Sequence, residues 1–73
     1  MSTFKSEQEV LDFAIKNEQE AADFYRNLAG QTKSPVMKKN LESFAKEEDG
    51  HKKALMAVKE GSKRLSSKRK SSL

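Results

Sequence analysis

Three ionisable side chains stand where a helix should bury hydrocarbon: Glu18, Glu48 and His51. Glu48-Asp49-Gly50-His51 is a Glu-x-x-His pattern. A three-residue step on a helix puts carboxylate and imidazole about one turn apart on one face, where both reach a single ion. The pair interrupts an apolar stripe, Met37, Leu41, Phe44, Glu48, His51, Leu55 and Val58, whose spacings alternate between four and three. Glu18 interrupts a matching stripe, Leu11, Ala14, Glu18, Ala21, Tyr25 and Leu28. A carboxylate in such a position is costly without a partner, so the two faces need compensation. A divalent metal supplies it, and oxygen plus imidazole donors without sulfur suit iron or manganese, with zinc also compatible.

The elements that must position these groups are two long helices. Ser6-Glu7-Gln8-Glu9 has the capping-box form, and the first stripe begins directly behind it. Neither proline nor glycine interrupts the chain until Gly30, which fits a C-terminal cap. Ser34-Pro35 restarts a helix, serine as N-cap and proline in the first helical position. Gly61 supplies the next stop. The spacing therefore predicts helices over about 6–29 and 35–60, joined by a short polar connection. Such a pair folds back as an antiparallel hairpin, which brings Glu18 level with Glu48 and His51.

One hairpin leaves a side of its own interface open to water. The fold expected is all-α, an antiparallel hairpin over residues 1–61 that dimerises into a four-helix bundle. Two copies of Glu18, Glu48 and His51 then place four carboxylates and two imidazoles at the bundle centre. Four clustered negative charges call for cations, and two divalent ions neutralise them.

Ala14-Ile15-Lys16-Asn17-Glu18-Gln19-Glu20-Ala21-Ala22-Asp23-Phe24-Tyr25, followed by Phe44-Ala45-Lys46-Glu47-Glu48-Asp49-Gly50-His51, resembles a rubrerythrin-type ferritin-like domain cut down to one hairpin. The likeness spans roughly residues 8 to 60. It implies that Glu18 is the first-helix ligand, that Glu48 bridges or chelates metal, and that His51 is the terminal imidazole. It also implies that Tyr25 lies near the cluster, and that two iron ions bind per dimer. The activity implied is that of an oxidoreductase, either oxidising Fe(II) or reducing peroxide or O2. Full-length rubrerythrins have four helices per chain and usually a cysteine-rich rubredoxin module, so peroxidase turnover here implies an external electron donor. Short members similar to encapsulated ferritins rebuild the site between subunits, which implies a homodimer or a higher homo-oligomer.

Composition narrows the alternatives. The 73 residues contain no cysteine, which excludes disulfides, thiolate zinc sites and iron–sulfur clusters. No apolar run reaches membrane-spanning length and no apolar leader is seen, so a cytoplasmic location is expected. Five of the fifteen lysines and arginines lie in residues 62–73 without any acidic residue, leaving ten basic against eleven acidic residues in the body. That segment reads as a basic, disordered tail. It supports a competing function, a non-enzymatic helical dimerisation module whose tail contacts nucleic acid or another anionic surface. In that reading Glu48 and His51 form a hydrogen-bonded pair that fixes register, and Glu18 sits exposed at the hairpin edge. Glu20 and Glu47 read as solvated, with either available as an additional carboxylate beside the metal.

Overall fold

The computed structural model describes the backbone of residues 6–71 and the side chains of residues 6–62. Two helices make up these residues, α1 (Glu7–Gln31) and α2 (Pro35–Ser71), and among the described residues there is no strand. Both helices start where the sequence places their caps. The Glu9 N–H donates to Ser6 Oγ at 3.2 Å, and the Met37 N–H donates to Ser34 Oγ at 3.2 Å. Each bond satisfies one of the free donors at a helix start.

The helices meet along a narrow seam. The buried side chains among the described residues are Ala22, Ala29, Leu41 and Ala45. Three alanines let the two backbones approach closely, which puts side chains on both flanks of the seam in reach of the opposite helix. On one flank Asp12 pairs with Lys59, Gln19 accepts from Lys52, and Arg26 pairs with Asp49. On the other flank Glu18 faces His51, and Tyr25 faces Phe44 with ring centroids 5.5 Å apart. Ser62 Oγ donates to Glu7 Oε2 at 3.0 Å, which fixes the open end of the hairpin. Glu7–Ser62, Glu18–His51 and Tyr25–Phe44 share one antiparallel register, so the expected hairpin is the structure observed. None of the described helices is long and apolar enough to cross a membrane.

The helix ends differ from the sequence reading. Gly30 lies inside α1, which runs on to Gln31, and Thr32 caps it with its N–H donating to the Leu28 carbonyl at 3.1 Å. Gly61 does not stop α2, which continues to Ser71 in place of the end expected near Glu60. The physical reason is the same at both sites. A glycine stops a helix by adopting a left-handed conformation, and no described glycine has a positive φ. The backbone of residues 62–71 is therefore helical where a disordered tail was expected, while the side chains that were to contact an anionic partner lie outside the described residues.

Gly50 is the remaining glycine, in mid-helix between Glu48 and His51. A Cβ built on it meets nothing within 4 Å. Neither a close approach within this chain nor an unusual backbone angle requires glycine there. Gly50→Ala is therefore expected to stabilise the protein by about 1 kcal/mol, read by urea denaturation at fixed protein concentration with chelator present. Unchanged or lower stability would mean that something beyond this chain packs on residue 50.

Candidate metal centre

Glu18 sits in the middle of α1, and Glu48 and His51 one turn apart in the middle of α2. The antiparallel register brings all three to one level. His51 Nδ1 lies 3.3 Å from Glu18 Oε2 and 3.9 Å from Glu48 Oε2. One donor atom from each residue can be chosen so that all lie within 4.8 Å of one another. Both carboxylates are largely shielded, with side chains 24% and 21% exposed, whereas the His51 ring is 61% exposed. The group thus opens toward the uncovered face of the hairpin. Three donors from two helices converge there, and the remaining positions of any bound ion face outward.

The Glu48 carboxyl is held above its ordinary pKa, chiefly by side-chain hydrogen bonding with Glu18. Partial burial and the Glu18 charge push it the same way, with a smaller push from Glu47 and an opposing pull from His51. Two carboxylates compressed together, with an imidazole beside them, form a set whose charge a divalent ion would neutralise. Hard oxygen donors with one imidazole fit iron or manganese.

All three sequence-predicted ligands are brought together. Tyr25 is half-buried one two-turn layer away, its ring between Phe24 and Phe44, at centroid distances of 5.8 and 5.5 Å. Glu20 and Glu47 are exposed and stand outside the ligand group. The sequence reading did not find the alanine seam that sets the spacing between Glu18 and His51. Its signal was there as Ala22, Ala29 and Ala45, each one residue away from a position of the apolar stripes, but alanine carries too little hydrocarbon to mark a buried face.

A pH signature follows. The folded Glu48 pKa lies above its unfolded value, so its contribution to stability is fully present below the unfolded value and is lost as pH rises through the folded one. In chelator, the protein is expected to lose stability across that rise. Glu48→Gln, which keeps a hydrogen-bond donor without charge, should remove this loss and leave the metal-free protein more stable at pH 7 than the wild type. Denaturant midpoints measured at a series of pH values check both statements, and parallel curves for the two proteins would contradict them.

The rubrerythrin family model matches residues 9–71, a span that contains Glu18, Tyr25, Glu48 and His51. No curated protein and no solved structure gives a significant match. A helical hairpin with a Glu, Glu, His group at its centre, matched over most of its length by that model, belongs to the rubrerythrin family, a family of iron-binding, ferritin-like helical domains.

Proposed function

We propose that two copies of this hairpin associate through the face that carries Glu18, Glu48 and His51, hold two iron ions between them, and act as a redox protein. The observation that carries the proposal is the convergence of these three donors on the open side of the hairpin. Manganese or zinc would satisfy the same donor set.

The packing supports the association. All six positions of the first stripe, Leu11 through Leu28, are half-buried, as a face covered on one side only would be. Met37, Phe44 and Val58 of the second stripe are exposed. Fixing a backbone residue costs about 1–2 kcal/mol, and fully burying a leucine-sized side chain returns about 1.5–3 kcal/mol. Three buried alanines and one leucine make a thin core for so many ordered residues, and a second hairpin on this face would thicken it.

Within such a dimer the residues divide the work. Glu18 and Glu48 hold metal through carboxylate oxygens, and their mutual repulsion becomes attraction to the ion. His51 presents Nδ1 to the same point. Phe44 and Tyr25 wall off one end of the site and limit water there. Iron bound there supplies one-electron chemistry toward O2 or peroxide. Oxidation of Fe(II) needs no further component, whereas peroxide reduction in turnover requires an external electron donor.

The test is anaerobic loading with Fe(II) followed by O2 or peroxide, with Fe(III) formation read by absorbance. The wild type is expected to oxidise Fe(II) faster than iron in buffer. Glu18→Ala, Glu48→Gln and His51→Ala should each lose at least about tenfold, since even residues that only orient a ligand cost that much when removed. Oxidation at the same rate in the wild type and all three variants would reject the reading.

A further inference from the structure

An open cavity of about 630 Å³ lies between the helices toward the closed end of the hairpin. It is lined by Arg26, Ala29 and Gly30 of α1 and by Lys38, Glu42 and Lys46 of α2. Lys38, Glu42, Lys46 and Asp49 follow one another at steps of four, four and three, so they share one face of α2. That face belongs to the flank where Arg26 pairs with Asp49, across the seam from Glu18 and His51. The cavity is therefore separate from the metal group.

Its lining favours an anion. Three of its four charged side chains are cations. Arg26 is held at the rim by Asp49, and its guanidinium keeps donors beyond that one contact. Neither Lys38 nor Lys46 is ion-paired among the described residues, although Glu42 stands one turn from each. Exposed lysine–glutamate pairs at that spacing are weak, so both ammonium groups can turn to a ligand. The floor adds a second observation. Ala29 is buried, and a Cβ built on Gly30 meets nothing within 4 Å. Glycine inside a helix is costly, and Gly30 has neither a positive φ nor a close approach within the chain to require it. Its effect is to leave the cavity wide.

We infer that this cavity binds a hydroxylated bisphosphate, a small molecule with two phosphate groups and hydroxyl groups between them. Lys38 and Lys46 are about 12 Å apart along α2, which suits two separated anionic groups. Glu42 stands midway between them. A continuous run of phosphates would set negative charge against that carboxylate, whereas a hydroxyl there donates to it. Arg26 lines the cavity from α1 with a planar fork that suits phosphate oxygens. Three cations thus hold the phosphates, and Glu42 selects for the hydroxyl.

The test is isothermal titration calorimetry of the full-length, metal-free protein, so its outcome is independent of the iron reading. Fructose bisphosphate, inorganic pyrophosphate and inorganic phosphate serve as separate probes. Fructose bisphosphate is expected to bind at least about tenfold tighter than the other two, and more weakly as salt is raised. Arg26→Gln, Lys38→Gln and Lys46→Gln should each weaken it by about tenfold, the loss of one charge-assisted hydrogen bond. Glu42→Ala should narrow the preference over pyrophosphate. Gly30→Leu should abolish binding while its urea midpoint stays at or above that of the wild type, which separates a filled cavity from a failed fold. Similar affinity for all three probes overturns the inference, because the cations would then act only as a diffuse positive surface. Absence of fructose bisphosphate binding, or undiminished binding in Gly30→Leu, overturns it as well.

Discussion

Glu18 and Glu48 face each other across the hairpin with His51 beside them, and most other features of the structure bear on how that contact is held. Two carboxylates in such proximity share a proton or repel, and the raised pKa of Glu48 is the direct consequence. The contact exists because an alanine seam draws the helices together and because capped helix starts fix where each one begins. The chain thus spends part of its stability on this arrangement. Such tension is expected at a ligand site and unusual in a purely structural core.

The two flanks of the seam are built differently. One is laced with polar links between exposed and half-buried residues, Asp12–Lys59, Gln19–Lys52 and Arg26–Asp49. Pairs of this kind contribute little net stability in water, about 0–1 kcal/mol each, yet they oppose sliding of one helix along the other. The other flank has the Glu18, Glu48 and His51 group and the Tyr25–Phe44 contact. The polar flank therefore sets register, and the chemical flank depends on it. A slip of one residue would rotate Glu18 away from His51.

Much of this was legible in the sequence. Ser6 with Glu9, and Ser34 with Pro35, marked the helix starts because capping is local chemistry that needs no tertiary context. The alternation of four and three placed Glu18, Glu48 and His51 on facing stripes because helical periodicity is rigid. What escaped was set by context. Gly30 and Gly61 read as stops, yet glycine stops a helix only where the chain turns left-handed, and here α1 and α2 continue through both. The seam escaped because Ala22, Ala29 and Ala45 mark a close approach by their small size. The cross-links Arg26–Asp49 and Lys52–Gln19 depend on an interhelical register that no single-helix pattern specifies.

The central claim is that the ligand group is completed by a second copy of the chain. Native mass spectrometry after anaerobic Fe(II) loading tests it most directly. The account predicts a dimer, or a multiple of it, carrying two iron ions per pair of chains, with Glu48→Gln removing the metal. Iron bound to monomers, or dimers that take up none, would contradict it.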